Sequence, residues 1–501
     1  MYFFNTAGPC KPDMHYMLPP ESRLPEARQL IDQGQYFVLH APRQTGKTTS
    51  IRALAQALTA DGRYAALVVT CETVMGRSLE DWIATVLEMF RFSASVGLPE
   101  DLRPPRPDSG LSADKRLGDL LTRWSCACAR PIVLFLDEID TLVGDLLLSV
   151  LRQLRVGDPN GSGFFLQSIG LIGLLDIRDR FIPTAESLTL RNFTAEEVAE
   201  LYDQHTSETG QIFTGEAKAL AFHLTRGQPW LVNALARQAV EVLVTERSQP
   251  VEAAHIEKAK EILIERRDTH LDSLIDRLRE PRVRKILEPV LAGEFLAPEV
   301  LDDDIQFVED LGLVAHSAGL EIANPIYREI IPRALTAVTQ RSFPPIRASF
   351  VKDDGALDIE ALLAEFRRFW CQHAEHFLDR QPYSEAAAQL IFMAFLQRVV
   401  NGGGFIDREY AVGSGRIDLC VRWPYSKGMQ RWAVELKVWR DGRPDPLADG
   451  LEQLVDYLDR LGLESGTLIL FDLRTQAPPL PERCSQQEVE HRGRRVGVVR
   501  L

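Results

Sequence analysis

The sequence predicts an α/β protein built in two halves, a parallel sheet near the N-terminus extended by helices and a second, smaller α/β domain at the C-terminus. Three observations predict it. Apolar runs without alternation, at 36–40, 65–70, 131–140 and 168–174, are separated by stretches of helical period, the pattern of a parallel sheet covered on both faces. The first run leads directly into Ala41-Pro42-Arg43-Gln44-Thr45-Gly46-Lys47-Thr48, a glycine–lysine loop that opens a helix. Far downstream, Asp418 and Glu435 each stand within otherwise apolar strands, where a charge is costly unless paired or metal-bound.

The totals agree with a multidomain globular chain. At 501 residues there is material for three or four cores of about 150 residues each. Hydrophobic content of 45% and charged content of 26% are ordinary. No run approaches the ~18 apolar residues a membrane span needs. The N-terminus, MYFFNTAGPCKPD, has neither a basic nor an apolar leader region, so a cytoplasmic location is expected. The seven cysteines are scattered and lack paired zinc spacing, which predicts free thiols in a reducing compartment. The net charge of −14 argues against general nucleic-acid affinity. Residues 381–501 are neutral, however, with sixteen Lys/Arg and sixteen Asp/Glu. There Arg416, Arg422, Lys427, Arg431, Lys437, Arg440 and Arg443 crowd the two acidic strands as a candidate phosphate-holding face.

Taken in order, the strand at 36–40 is followed by a helix at 48–58, a strand at 65–70 and a helix at 78–92. A Pro-rich loop spans 99–108, then a helix covers 114–129 and PIVLFLDEID makes a buried strand ending in acids. From Thr194 the pattern is helical, with stops at Gly210 and Gly227 and a Pro229 start. These helices predict a lid over 206–270. Short helices and a two-stranded turn follow to 335, suggesting a winged helix over 271–335. Residues 336–356 lack a sustained period and contain Pro344-Pro345, so 336–380 is expected to be a linker and connector helix. The C-terminal domain, 381–501, should hold a helix at 384–401, strands at 405–411, 416–423 and 431–438, a helix at 447–461 and a strand at 466–472.

The loop fits GxxxxGK followed by Ser or Thr, except that Ala41 replaces the first Gly. Its backbone N–H groups, from Gln44, Thr45, Gly46 and Thr49 among others, suit phosphate oxygens. Lys47 would reach the terminal phosphates and Thr48 would ligate Mg²⁺. On the strand IVLFLDEID, Asp137 would hold Mg²⁺ through water and Glu138 would polarise the attacking water. With PDMHYMLPPESRL, SIGLIGLLDIRD and TRGQPWLVNALARQA, these segments resemble the AAA-like and STAND-type P-loop ATPases over residues 1–335, with 1–205 as the ATPase core. The resemblance implies ATP as cofactor, Arg178 as a phosphate sensor and Pro229 as the residue that sets a lid helix beside the nucleotide. It also implies that the stretch holding Tyr16 and Arg23 packs on the base. Arg152 and Arg155 could act on a neighbour's nucleotide in a nucleotide-dependent homo-oligomer, the alternative being two Arg on a solvated helix face.

Phosphodiester hydrolysis needs a divalent ion, an activated water and charge neutralisation. Asp418, Glu435 and the backbone carbonyl of Leu436 suit Mg²⁺, and Lys437 shares the face of Glu435 by the two-residue period. Gly415-Arg416-Ile417-Asp418-Leu419, then Trp432-Ala433-Val434-Glu435-Leu436-Lys437-Val438, resemble the PD-(D/E)xK nuclease superfamily over about 381–475. The second half is thus expected to be a restriction-endonuclease-like α/β domain. The resemblance implies a further role for Glu385 on the preceding helix and for Gln453, four residues before Tyr457.

Together these readings predict an ATP-driven switch controlling a Mg²⁺-dependent DNA endonuclease, a layout that would suit bacterial defence against phage or other foreign DNA. DNA and an activating protein or nucleic-acid trigger are the expected partners, with no membrane. The alternative is a nucleotide-dependent scaffold whose nuclease fold is inert.

Overall fold

The computed structural model describes residues 2–71, 78–108, 110–142, 144–155, 166–174, 185–266, 276–292, 302–316, 319–342, 350–378, 386–400, 404–412 and 415–501. It forms two compact units, Met1–His270 with Leu301–Pro325, and Leu271–Val300 with Ile326–Leu501. The stretch 271–335 is thus divided between them.

In the first unit the described elements are α1 (Pro25–Asp32), β1 (Phe37–His40), α2 (Lys47–Ala60), β2 (Ala65–Thr70), α3 (Leu79–Gly97), α4 (Ala113–Ala127), β3 (Ile132–Asp137), α5 (Asp145–Arg155), β4 (Ser168–Gly173) and β5 (Glu186–Thr189). The strands form one sheet in the order β2-β3-β4-β1-β5, parallel throughout. β1, β3 and β4 are buried along their whole length, which is why their sequences are unbroken apolar runs rather than alternating ones. One face packs on α3, α4 and α5 through Phe90, Leu120, Trp124 and Leu151. The other packs on α1 and α2 through Ile31, Ile51 and Leu58. Central β4 carries Gly170 because a Cβ there would lie 2.8 Å from Phe135 and 3.0 Å from Phe37.

β5 was not expected from the sequence. Its residues are exposed or half-buried, so Glu186–Thr189 lack the apolar signature of a central strand. The strand expected to run to 140 ends at Asp137. Glu138 has φ 57 and ψ 41 and starts a short 3-10 turn at Ile139–Thr141, so the acids stand at the strand's end rather than in it.

The helical part follows as α6 (Ala195–Thr209), α7 (Gly215–Thr225), α8 (Pro229–Gln238) and α9 (Ala253–Arg266). α6 opens with a reciprocal capping box between Thr194 and Glu197, and α8 has Pro at its first turn. Between α7 and α8, Gly227 (φ +72) is the residue the fold demands: a Cβ there would come within 1.9 Å of the Phe193 carbonyl, and the Phe193 N–H donates to the Gly227 carbonyl at 2.8 Å. After α10 (Pro281–Ala292), α11 (Asp302–Asp310) leads to the hairpin β6 (Val314–His316) and β7 (Leu320–Ile322). α12 then runs Pro325–Ser342, so the first residues expected to be linker are helical; the helix propagates from its apolar start into a stretch with no apolar period of its own.

In the second unit, α13 (Ile359–Leu378) and α14 (Ala387–Val400) precede β8 (Phe405–Val412), β9 (Gly415–Tyr425), β10 (Gly428–Trp439), α15 (Leu447–Leu461), β11 (Ser465–Asp472), β12 (Ser485–His491) and β13 (Arg494–Arg500). The sheet order is β12-β13-β11-β10-β9-β8. β8, β9 and β10 form an antiparallel meander, while β10, β11 and β13 run parallel. α13 and α14 cover one face, against Leu419, Trp432, Val434 and Leu436. α15 covers the other, against Cys420, Ala433 and Leu468. The β12–β13 hairpin was not expected: SQQEVEH carries a single apolar residue, Val489, and the short VGVV run of β13 was not read as a strand. Its turn did carry a signal, Arg492-Gly493, both at positive φ.

The expectation of free thiols is corrected at one pair. Cys371 on α13 and Cys484, just before β12, are joined as a disulfide with Cα atoms 6.8 Å apart. They lie 113 residues apart in sequence, so spacing gave no sign of the pairing. Cys10, Cys71, Cys126, Cys128 and Cys420 are free thiols. Among the described residues no helix is long and apolar enough to cross a membrane.

Candidate functional sites

The first site is a cavity of about 540 Å³ at the C-terminal end of the parallel sheet, lined by the 41–49 loop, the acids after β3, the N-terminal segment and the start of α8. Sites in open α/β sheets form at this end because the strand-to-helix loops converge there. The loop is shaped by two residues in the left-handed region, Gln44 (φ 59) and Gly46 (φ 94). The Thr45 hydroxyl donates to the Pro42 carbonyl at 2.9 Å, closing the turn. The Lys47 ammonium donates to the Ala41 and Pro42 carbonyls at 2.6 and 2.9 Å. Burial lowers the Lys47 pKa to about 8, against the opposing pull of Asp140, Asp137 and Glu138.

The Thr48 hydroxyl donates to Asp137 Oδ2 at 2.7 Å. A hydroxyl and a carboxylate in contact, one from the loop's helix and one from a neighbouring strand's end, are the oxygen donors a hard divalent cation takes. Burial raises the Asp137 pKa, and the Thr48 hydroxyl and Lys47 oppose that. Glu138 lines the same cavity, and its left-handed backbone is local strain of the kind that clusters at functional sites. Gln44, Thr49 and Pro229 also line it. Thr45, whose side chain is buried, braces the loop from within. The Thr49 hydroxyl accepts the Cys10 N–H at 3.0 Å.

Behind the loop, His40 Nδ1 lies 3.3 Å from Asp310 and Nε2 lies 3.1 Å from the Thr189 hydroxyl. A Cβ on Gly312 would meet the Pro42 ring at 2.7 Å. Tyr16 lines the cavity and its hydroxyl bonds Glu208 and His205, fixing the N-terminal segment to α6. Arg23 lies at the loop itself. Arg152 is exposed on α5; Arg178 lies outside the described residues, as does the side chain of Arg155.

Two features were missed. Asp140 lines the cavity and accepts the Leu174 N–H at 3.3 Å, tying the acidic turn to the end of β4; it stood in the sequence two residues after Glu138. Residues Asn5–Cys10 also wall the cavity. Trp230 Nε1 holds the Thr6 carbonyl at 2.9 Å, a contact across more than two hundred residues that no local pattern announces.

The second site lies in the C-terminal sheet. The β9–β10 register, from Gly428↔Tyr425 to Val434↔Leu419, places Asp418 opposite Glu435 one step further on. The Leu436 N–H donates to Asp418 Oδ2 at 2.8 Å, so the carboxylate takes an amide that a strand partner would otherwise take. A strand residue's N–H and C=O leave the strand on the same side, so the Leu436 carbonyl is directed to the β9 side of β10. The Lys437 ammonium donates to Glu435 Oε1 at 2.8 Å and to Gln453 Oε1 at 2.7 Å. The structure therefore brings together Asp418, Glu435, Leu436, Lys437 and Gln453; Glu385 lies outside the described residues.

Like charges directly across a sheet repel, and Glu435 is 3% exposed. Its pKa is pushed up to about 8, by burial first and then by Asp418, with Lys437 opposing. Glu435 Oε2 is buried with no hydrogen-bond partner. An orphaned buried oxygen beside a second carboxylate fits a divalent cation. Among the described residues no group of three or more His, Cys, Asp or Glu is placed to hold a metal, so backbone and water oxygens would complete such a shell.

A strand, a glycine–lysine loop and a helix in a parallel sheet, with an acid ending the strand two places away, define the P-loop nucleotide-binding fold. No protein-family model matches the chain, nor does any curated protein. Among solved structures the chain is similar to the Walker-type ATPase PABY2304 of Pyrococcus abyssi, with 14% identity over 66% of this chain and 99% of that one and a TM-score of 0.48. It is also similar to Cdc6p of Pyrobaculum aerophilum (14% identity, 65% and 95% coverage, TM-score 0.38) and to the Thermotoga maritima RuvB Holliday junction branch migration motor (17%, 62% and 93%, 0.33). What the two sites can do follows from their own residues.

Proposed function

We propose that the chain is an AAA-like P-loop ATPase joined to a Mg²⁺-dependent deoxyribonuclease, with the nucleotide state setting the nuclease's activity. The nucleotide half is carried by the Thr48–Asp137 contact beside Lys47 in a cavity large enough for a nucleotide. The nuclease half is carried by the orphaned Glu435 oxygen beside Asp418, with Lys437 bonded to the same carboxylate.

At the first site the loop amides and Lys47 would bind phosphates, which requires the ammonium to exchange the Ala41 and Pro42 carbonyls for phosphate oxygens. Thr48 and Asp137 would hold Mg²⁺, which supplies charge neutralisation on the phosphates. Glu138, which lines the cavity, would act as general base on the attacking water. At the second site Asp418, Glu435 and the Leu436 carbonyl would hold the ion, which supplies Lewis-acid activation of a phosphodiester. Lys437, bonded to Gln453, would offer its charge to the negative charge that develops on the phosphate. A defence role against foreign DNA fits a cutter kept under nucleotide control.

The test incubates the purified chain with linear and circular DNA and Mg²⁺ or Mn²⁺, with and without ATP, beside Lys47→Ala and Glu435→Ala. Glu435→Ala should abolish cutting and keep ATP turnover. Lys47→Ala should abolish turnover and alter cutting. Equal cleavage by wild type and Glu435→Ala would refute the nuclease half; turnover that survives Lys47→Ala would refute the other.

A further inference from the structure

We propose that Arg23 is a positioning residue of the nucleotide site, holding the phosphate loop from behind and adding its charge to the phosphate end of the cavity. The proposal rests on the nucleotide reading above and assigns the N-terminal segment a part in phosphate recognition rather than in base packing.

Arg23 ends the short 3-10 turn Pro20–Arg23 and is 8% exposed. Its Nη1 donates to the Thr45 carbonyl at 2.9 Å and its Nη2 to the Arg191 carbonyl at 2.6 Å. The guanidinium sits over the Phe193 ring, 4.7 Å from its centre. All three partners are neutral. The carboxylate that acts most on it, Glu197, is already bonded to Arg191 at 2.6 and 2.7 Å. Among the described residues Arg23 has no ion-pair partner, and its Nε is buried without a hydrogen bond. Burial lowers its pKa to about 10. A guanidinium taken from water without a counter-ion is costly, and this one borders the cavity that the loop encloses. An anionic ligand there would supply the missing negative charge.

The positioning follows from peptide geometry. The Thr45 C=O and the Gly46 N–H belong to one planar trans unit and point in opposite directions. Arg23 holds the carbonyl, so the Gly46 N–H is directed away from Arg23. The following peptides start the α2 N-terminus, whose free N–H groups are the anion-binding element. Nη1 also lies 3.0 Å from where a Cβ on Gly46 would stand, so Gly46 supplies room for the guanidinium as well as its left-handed backbone.

The experiment measures binding of adenosine, AMP, ADP and ATP to the full chain for wild type, Arg23→Met and Arg23→Lys, with melting curves for each. Arg23→Met should leave adenosine affinity unchanged and weaken ATP by about tenfold or more, with ADP and AMP graded between. Arg23→Lys, which keeps the charge but not the fork, should lose less than Met in the same order. An equal loss across the series, adenosine included, would mean Arg23 only supports the fold and would overturn the proposal; so would ATP affinity unchanged in either variant. If Arg23→Met does not fold, Arg23→Lys decides alone, a several-fold ATP loss at constant adenosine affinity supporting the proposal. Wild type that binds neither ADP nor ATP would overturn the nucleotide reading itself and the Arg23 role with it. Wild type that binds both, with flat variants, would overturn only Arg23.

Discussion

Replacing Glu435 with Gln should stabilise the metal-free protein at alkaline pH and abolish its stabilisation by divalent ions. The carboxylate is buried opposite Asp418, and one of its oxygens has no partner. Its pKa stands near 8 against an ordinary value of 4.5. A folded-state pKa above the unfolded one means the folded protein holds the extra proton. The stability this contributes is complete below about 4.5 and is lost as pH rises through about 8. The move corresponds to a few kcal/mol, on the order of 5 as an upper bound. The Lys437 contact offsets part of the repulsion and is weakened by the amide, so a net gain of about 2 kcal/mol is the working figure. For a unit of this size that is a rise of roughly 4–8 °C in melting temperature. The assay is calorimetry of wild type and Glu435→Gln at pH 5 and pH 8.5, with chelator or with Mg²⁺. Taking the difference between the two proteins cancels titrations elsewhere. Gln should match wild type at pH 5 and exceed it at pH 8.5 in chelator. Mg²⁺ should raise wild type, by about 2.7 kcal/mol at a hundredfold excess over Kd, and leave the variant unmoved. A Gln variant less stable than wild type at pH 8.5 in chelator, or equal Mg²⁺ stabilisation of both, would refute the picture of a repulsive pair awaiting a cation.

Three further outcomes are expected. Gly227→Ala should leave no soluble folded N-terminal unit, because its Cβ would lie 1.9 Å from a backbone oxygen that cannot give way; a melting temperature within a few degrees of wild type would contradict this. Nucleotide affinity should fall as pH rises above about 8, because the Lys47 ammonium must be present to meet phosphate and binding then takes up a proton; titration calorimetry in buffers of different ionisation enthalpy would detect that proton, and Lys47→Arg should remove it. Thr48→Val and Asp137→Asn should each abolish Mg²⁺-dependent tightening of ATP binding and be strongly non-additive, since the two side chains are bonded at 2.7 Å; additive losses in the double variant would place them in separate sites.

The loop, its acids and the Asp418/Glu435/Lys437 set were legible in the sequence because each depends on spacing within one or two neighbouring elements. A two-residue period puts Glu435 and Lys437 on one face of β10, and the structure bonds them. Gln453, four residues before Tyr457, reaches Lys437 from α15. Two edge strands, β5 and β12, were not legible, although the edge strands β2 and β8 were expected at 65–70 and 405–411. β5 and β12 make few apolar contacts, and their residues carry no pattern that separates them from loops. The Asp-Glu-Ile-Asp run read as the end of a strand, although its backbone turns left-handed at Glu138; a strained conformation is imposed by surroundings rather than by local preference.

Local chemistry written into the chain determined which residues can meet phosphate or a divalent ion, and the alternation of buried strands and helices determined that a parallel sheet carries the first set. The tertiary structure alone decided that Asp418 lies across from Glu435 with a Glu435 oxygen left unpartnered, that Cys371 meets Cys484, that Asn5–Cys10 and Trp230 wall the cavity at the loop, and that Arg23 holds the Thr45 carbonyl of that loop. Each of these joins residues remote in sequence, whose meeting depends on strand register and on which helix covers which face, and those are set by the packing of the whole core.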